Sequence, residues 1–151
     1  MSRDNTRSVL SVGEVEGLVN ESFPQIHAGG RSIFIESVGD RQSRLRMRFT
    51  DESIRPGGTI AGPSMFKLAD FGIYVALIAT LGADGIRAVT SNLNITFLTR
   101  PEQRDLIAET RIIRLGRRLA YAEVALRSEG HEDMVAHATG TYAIPRAPSA
   151  V

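Results

Sequence analysis

The pattern of hydrophobic residues in the first third of the chain changes from a helical period to a strand period. Residues 11–22 carry valine and leucine at helical spacing, and Ser11 with Glu14 has the pattern of a capping box, so a short amphipathic helix is predicted. Residues 31–38 and 44–49 are predicted as two strands joined by a hairpin turn, because arginine alternates strictly with apolar residues in the second of them. The residues of this second strand that are predicted to face the core are Leu45, Met47 and Phe49.

The longest predicted helix spans residues 63–81. Pro63 suits the first position of a helix, where its missing N–H is not needed, and Gly82 supplies a C-terminal stop. From Phe71 onward the segment is apolar nearly all round, which is typical of a helix that is buried on most sides. This helix is therefore predicted to form the centre of the fold.

The last third of the chain alternates strand-like segments with short turns. Short turns join antiparallel neighbours, and a long apolar helix needs cover on most sides. The sequence therefore predicts an α+β fold in which a curved antiparallel β-sheet wraps around the long central helix. The strands of this part are predicted at residues 86–98, 106–114, 119–127 and 134–144.

The composition of the chain agrees with this predicted fold and excludes several classes of protein. The 151 residues are 42% hydrophobic and 23% charged, which fits an ordinary globular domain. A net charge of +1 argues against a nucleic-acid-binding protein, which usually carries a strong basic excess. The absence of cysteine excludes disulfides, thiolate catalysis and cysteine-ligated metals. The longest apolar run, residues 71–81, is shorter than the ~20 residues of a membrane-spanning helix, so a soluble, cytoplasmic protein is expected.

Asp70 is the first candidate for chemistry. It lies beside the apolar half of the long helix, and no other charge occurs between Lys67 and Asp84. A carboxylate in such surroundings is costly unless it is paired or used. The alternative is a structural role, in which Asp70 reaches solvent or pairs with Lys67 or a neighbouring arginine.

The second candidate is the glycine-rich approach to this helix, residues 57–64. The N-terminus of a helix presents unpaired N–H groups that can hold a phosphate or polarise a carbonyl oxygen, although an ordinary loop also uses glycine to turn. Gly62 and Asp70 are eight residues apart, which is roughly 12 Å along a helix. A general base must lie within ~3 Å of its target, so the two residues serve one carbonyl only if they come from two chains. The spacing predicts a dimer with the active site at the interface.

A third candidate is the basic run at residues 114–118, which contains Arg117 and Arg118. Arginine side chains suit phosphate oxygens, although a solvated basic turn explains the run equally well. The three histidines show no metal-ligand spacing, so no metal site is predicted.

Four segments of the chain, in the same order, resemble the hotdog-fold acyl-CoA thioesterases of the PaaI-like (phenylacetate-pathway) branch of the 4-hydroxybenzoyl-CoA thioesterase superfamily. Residues 57–77, GGTIAGPSMFKLADFGIYVAL, resemble their glycine loop and central helix, which carries Leu-Ala-Asp. Residues 88–101, AVTSNLNITFLTRP, resemble their next strand, and RIIRLGRRLAYAEVALRSEG and VAHATGTYAI resemble the remaining hairpins. The resemblance covers roughly residues 30–145.

This resemblance implies a role for each matched residue. Asp70 matches the catalytic carboxylate, which acts as general base or nucleophile, Gly62 matches the glycine whose N–H polarises the thioester carbonyl, and Thr90 matches a hydroxyl residue near the attacking water. The implied partners are an acyl-CoA, with no separate cofactor, and a second copy of the chain, with dimers paired into a homotetramer. The substrate-binding positions are Arg55, Ala61, Pro63, Asn92, Arg117 and Arg118, and the last two lie toward the phosphates of coenzyme A. The helix aromatics that either line an acyl pocket or belong to the core are Phe66, Phe71 and Tyr74.

The sequence departs from this family at the glycine loop. Ala61 stands where the family usually has His, Pro63 replaces the second Gly, and Arg55 stands near a position that is often Asn. These departures motivate a second hypothesis, a non-catalytic acyl-CoA binding or sensing protein on the same scaffold. A hydratase or dehydratase is a third, but that chemistry normally uses a His, and none lies near this loop. The expected organisation is an N-terminal tail and short helix packed on the domain (1–30), the hotdog thioesterase domain (31–145) and a disordered tail (146–151).

Overall fold

The computed structural model describes residues 9–28, 30–50, 54–55 and 59–145, and for residues 54, 55 and 59 it describes the backbone alone. The tail predicted at 146–151 lies outside the described residues. The elements in chain order are α1 (Val12–Ser22), a 3-10 helix (Pro24–His27), β1 (Ile33–Gly39), β2 (Gln42–Met47), β3 (Ile54–Arg55), β4 (Thr59–Ile60), α2 (Gly62–Leu81), α3 (Ala83–Ile86), β5 (Val89–Phe97), β6 (Leu106–Leu115), β7 (Leu119–Ser128) and β8 (Met134–Ala143).

Within these residues, six strands form one antiparallel sheet in the order β1-β2-β6-β7-β8-β5. The short strands β3 and β4 pair separately with each other. Helix α2 packs against all six strands of the large sheet, most extensively against β6 and β2. One long helix covered by an antiparallel sheet is the α+β architecture that the sequence predicts, and the prediction is confirmed.

The helix boundaries follow the signals in the sequence. Ser11 and Glu14 form both hydrogen bonds of the capping box at the start of α1. Pro63 lies in the first turn of α2, and Gly82 ends that helix with a φ of 65°, which glycine adopts without a Cβ clash. The 3-10 helix after Pro24 and the short α3 after Gly82 were not predicted.

The core lies between α2 and the inward face of the sheet. Among the described residues, α2 (Gly62–Leu81) is long and apolar enough to cross a membrane by length and composition alone. The apolar segment is therefore longer than residues 71–81, the run on which the sequence prediction was based. However, 61% of its most apolar window is buried inside the fold, as expected of a core helix. The alternate positions of β7 that face the core are all fully buried, namely Ala120, Ala122, Val124 and Leu126.

Helix α2 approaches the sheet closely at Gly72. A Cβ added there would lie 2.5 Å from Oγ1 of Thr110, so a larger side chain does not fit without a shift. The Ser43 hydroxyl donates a hydrogen bond of 2.8 Å to the Gly72 carbonyl. Thr110 is equally buried, but its Oγ1 has no hydrogen-bond partner in the described part of the chain.

Thr110→Val is therefore expected to raise the free energy of unfolding by about 1 kcal/mol, because it removes a buried hydroxyl that forms no hydrogen bond. Ser43→Ala is the matched control, and it is expected to lower the free energy of unfolding by about 1 kcal/mol because a buried hydrogen bond is lost. Chemical denaturation of both variants measures the two changes. A Thr110→Val variant less stable than the natural protein contradicts the prediction.

Candidate active site

One face of α2 borders a cavity of about 380 Å³. Lys67, Asp70, Phe71 and Tyr74 line it, and their spacing of three and four residues puts them on the same side of the helix. A volume of this size lies within the range of small-molecule sites. The remaining walls come from the N-terminal segment, from β5 and its approach, and from β8, namely Phe23, Gln25, Ile26, Ala88, Val89, Thr90 and Tyr142.

The carboxylate of Asp70 is held by two hydroxyl groups. Thr90 Oγ1 donates to Asp70 Oδ1 at 2.8 Å, and the Tyr142 hydroxyl donates to the same oxygen at 2.5 Å and to the Asp70 backbone carbonyl at 2.9 Å. Oδ2 accepts no hydrogen bond from the described residues. None of the ion pairs in the described part of the chain includes Asp70, so the structure does not show the alternative pairing with Lys67 or an arginine.

The register of the sheet brings these two hydroxyl groups together. Thr90 on β5 lies directly opposite Tyr142 on β8, and the next pair is Asn92 with Thr141, so the strand bulges at Ser91. Beyond the bulge Leu93 packs against the core. Because of this extra residue, Thr90 and Leu93 lie on the same side of β5, the side that faces α2. The Thr90 side chain is thereby directed toward Asp70.

Tyr142 is 2% exposed, and burial is the main cause that raises the pKa of its phenol above the ordinary value. The negative charge of Asp70 and the hydrogen bond to it raise that pKa further. The phenol therefore stays protonated and remains a donor at neutral pH. Tyr142 was not predicted as a site residue, although its place at an inward position of the last strand puts a polar hydroxyl inside the core, where it needs a partner.

Tyr142→Phe is expected to lower kcat about tenfold, because the Asp70 carboxylate loses one of the two donors that fix its position. Steady-state rates measure the loss. Tyr121→Phe, at an exposed position of β7, is the matched control. An unchanged kcat in Tyr142→Phe contradicts the positioning role.

Residues 60–64 of the predicted glycine loop lie at the start of α2, and none of these five lines the Asp70 cavity. Ala61 is the N-cap residue, and its carbonyl accepts from Ser64 N–H at 3.1 Å and Met65 N–H at 3.3 Å. Gly62 is the first helical residue, where an N–H has no partner one turn earlier. Within one chain Gly62 and Asp70 therefore border different surfaces, as their spacing predicts. Pro63 is exposed beside Gly62.

The other predicted substrate-binding residues are spread more widely. Asn92 lies on the opposite side of β5 from Leu93, and its Oδ1 accepts from Asn94 at 2.8 Å. Arg117 lines a separate cavity of about 440 Å³ at the C-terminal end of α2, and Arg118 is exposed on the same turn. The side chain of Arg55 and residues 56–58 of the loop lie outside the described part of the chain.

Of the helix aromatics, Phe71 and Tyr74 line the Asp70 cavity, whereas Phe66 is 42% exposed and does not. Among the described residues, no group of three His, Cys, Asp or Glu side chains is placed to hold a metal ion. The polar side chains that line this cavity are one carboxylate, one ammonium, one amide and three hydroxyl groups, namely Asp70, Lys67, Gln25, Tyr74, Thr90 and Tyr142.

Two relatives align with almost the whole chain. A protein from Silicibacter sp. TM1040 assigned as a thioesterase is 36% identical, and its crystal structure superposes with a TM-score of 0.81 over 95% of this chain and 97% of that one. A protein from Saccharolobus solfataricus assigned as an esterase is 29% identical over 147 residues, which are 97% of this chain and 93% of the relative.

Two more distant solved structures share the fold. A mutant of the phenylacetic acid degradation protein PaaI from Thermus thermophilus is 21% identical, with a TM-score of 0.69 over 81% of this chain and 99% of that one. A protein from Streptococcus pneumoniae named as a thioesterase and solved with coenzyme A is 20% identical, with a TM-score of 0.73 over 83% of this chain and 96% of that one.

The family follows from these matches and from a direct comparison with family profiles. The profile described as the thioesterase superfamily matches residues 57–135, which is just over half of the chain and includes Gly62, Asp70 and Thr90. The predicted membership in the hotdog-fold thioesterases is confirmed with it. The chain therefore belongs to the thioesterase superfamily and is a hydrolase of hotdog fold.

Proposed function

We propose that this hydrolase cleaves acyl-CoA thioesters to free coenzyme A and a carboxylic acid. The observation that carries the proposal is the Asp70 carboxylate, which lines a cavity with one oxygen fixed by Thr90 and Tyr142. Its second oxygen is without a donor among the described residues and is therefore available to a water molecule. The Streptococcus pneumoniae protein of the same fold was solved with coenzyme A, which supports the proposal that the substrate is a thioester of coenzyme A.

In the proposed reaction Asp70 acts as general base. Its free oxygen takes a proton from water as the water oxygen attacks the thioester carbonyl, and the carbonyl oxygen becomes an oxyanion. The carbon–sulfur bond then breaks, and the sulfur of coenzyme A leaves with the proton that Asp70 received. The oxyanion requires a donor, which the proposal assigns to the Gly62 N–H at the start of α2.

Because Gly62 and Asp70 of one chain border different surfaces, the proposal places each site between two copies of the chain. β5 is one of the two edge strands of the large sheet, and its outer edge is unpaired among the described strands. Three apolar side chains on this strand and just after it are about half exposed, namely Val89 at 57%, Phe97 at 51% and Leu98 at 52%. A long edge strand that exposes apolar side chains is normally covered, and a two-fold pairing of β5 with its own copy covers it.

The position of Phe97 supports the same arrangement. Its ring lies 3.2 Å from where a Cβ of Gly62 would be, so the start of α2 lies directly beside the edge strand. Pairing along β5 therefore carries the Gly62 N–H of one subunit toward the partner subunit. A homotetramer, a cytoplasmic location, the absence of a cofactor and phosphate contacts from Arg117 and Arg118 remain predictions of the sequence.

A panel of acyl-CoAs with a thiol-reactive dye tests the proposed function. We expect free thiol to appear with multiple turnovers for at least one acyl group. Tight binding without thiol release would instead support the acyl-CoA sensing hypothesis. A change in the acyl chain without release of coenzyme A would support a hydratase or dehydratase.

A further inference from the structure

We propose that Phe23 sets the upper size limit of the acyl group at the Asp70 cavity, so that the enzyme hydrolyses compact acyl groups, aromatic ones included, and excludes long chains. This inference rests on the proposed acyl-CoA thioesterase function. It concerns a residue of the N-terminal segment, which lies outside residues 57–135 matched by the thioesterase superfamily profile.

The cavity has a charged end and an apolar end along α2. Lys67 lies about one turn before Asp70, and Tyr74 lies one turn after it on the same side of the helix. The pantetheine arm of coenzyme A is polar and leads to the polyanionic nucleotide, so it favours the Lys67 end of the cavity over the apolar end. The acyl group then extends from Asp70 toward Tyr74, Phe71 and the N-terminal segment.

Three aromatic rings close the apolar end. Phe71 and Tyr74 have ring centroids 6.5 Å apart, and Phe23 meets Tyr74 edge to face at 6.3 Å with an interplanar angle of 89°. Tyr74 is fixed in place, because its hydroxyl donates to the Ile86 carbonyl at 2.9 Å. Such edge-to-face contacts hold rings in position and present apolar edges and faces to a bound group.

Of these three aromatic residues, Phe23 is the one whose truncation would open the cavity to solvent. Its ring is 38% exposed, whereas Phe71 is 4% exposed and belongs to the core. Its backbone is fixed independently of the ring, because the Phe23 N–H donates to the Val19 carbonyl at 2.7 Å and its own carbonyl accepts from Ile26 at 3.3 Å. Truncation of the ring therefore removes a wall toward solvent and leaves the chain path in place.

The volume of the cavity explains why this wall limits the substrate. A cavity of about 380 Å³ lies near the lower end of the range of small-molecule sites. A six-carbon or arylacetyl group is compact enough for such a site. A palmitoyl chain is much longer and has to extend past the wall that Phe23 forms.

The test compares kcat/KM for hexanoyl-CoA, phenylacetyl-CoA and palmitoyl-CoA in the natural protein, Phe23→Ala and Phe23→Leu. The natural protein is expected to prefer the two compact substrates. Phe23→Ala is expected to raise the palmitoyl-to-hexanoyl ratio of kcat/KM at least about tenfold, and Phe23→Leu is expected to raise it by less. The leucine variant retains an apolar side chain, so it measures the effect even where the alanine variant does not fold.

Phe34→Ala is the matched control. The Phe34 ring lies between the guanidinium groups of Arg31 and Arg48, at 4.9 and 4.6 Å, and does not line the Asp70 cavity. Its substrate ratio is expected to stay that of the natural protein. An unchanged ratio in active Phe23 variants would overturn the size limit and leave the thioesterase intact, whereas no thiol release by the natural protein from any acyl-CoA would overturn the proposed function itself.

Discussion

Asp70→Asn is expected to lower the kcat for acyl-CoA hydrolysis by about a thousandfold while the protein folds and assembles normally. An amide has the shape of the carboxylate but cannot take a proton from water. Its oxygen can still accept the hydrogen bonds that Thr90 and Tyr142 donate, so the geometry of the site is kept. Thiol release measures the loss, and thermal unfolding monitors the fold.

Asp84→Asn is the matched control for that variant. Asp84 is an exposed carboxylate on α3 that pairs with Arg87 and does not line the Asp70 cavity. We expect its turnover to equal that of the natural protein. Full turnover by Asp70→Asn would refute the assignment of Asp70 as the general base.

The second large effect is expected from Gly62→Pro, which removes the N–H proposed to stabilise the oxyanion. Removal of one such donor lowers kcat by about 10² to 10³. Proline is tolerated at the first position of a helix, and Ala61 before it already has the extended conformation, φ −67° and ψ 141°, that proline requires of its neighbour. The fold is therefore expected to survive the substitution.

Gly62→Ala separates the loss of the N–H from the cost of a side chain. Both substitutions place a Cβ at 3.2 Å from the Phe97 ring, but alanine keeps the N–H. We expect Gly62→Ala to retain most of the turnover and Gly62→Pro to lose it. Equal losses in the two variants would attribute the effect to crowding against Phe97 and would count against the oxyanion role.

A mixture of the two inactive variants tests whether the site is shared. In a dimer of one Asp70→Asn chain and one Gly62→Pro chain, one site combines the intact Asp70 with the partner subunit's intact Gly62, and the other site has neither. After random exchange of subunits, half of the dimers are mixed, so about a quarter of the natural activity is expected to return. No recovery after exchange would place the whole site within one chain.

Much of the fold follows from local signals in the sequence. The capping box at Ser11, the proline at the start of α2 and the glycine at its end act within a few residues, so the chain shows them directly. The separation of Gly62 from Asp70 could be predicted for the same reason, because the rise of a helix fixes it. These features needed no knowledge of which elements pack together.

The rest depends on contacts between distant parts of the chain. Tyr142 reaches Asp70 only because β8 pairs with β5, and the bulge at Ser91 that aims Thr90 is a property of that pairing. Phe23 reaches Tyr74 through the packing of the N-terminal segment on the domain. The local sequence pattern does not determine the order of the strands or which side chains meet across the core. The roles of Tyr142 and Phe23 were therefore identified only from the structure.

The strand β5 has two neighbours with different roles. One side pairs with β8 and holds Thr90 against Asp70, and the other is the edge proposed to meet a second copy. A ligand that binds across such a junction and the association of the subunits are then thermodynamically linked, and each strengthens the other by the same factor. Specific activity should fall when the protein is diluted below the dissociation constant of the dimer. Added acyl-CoA should shift the protein concentration at which half of the activity is lost to a lower value.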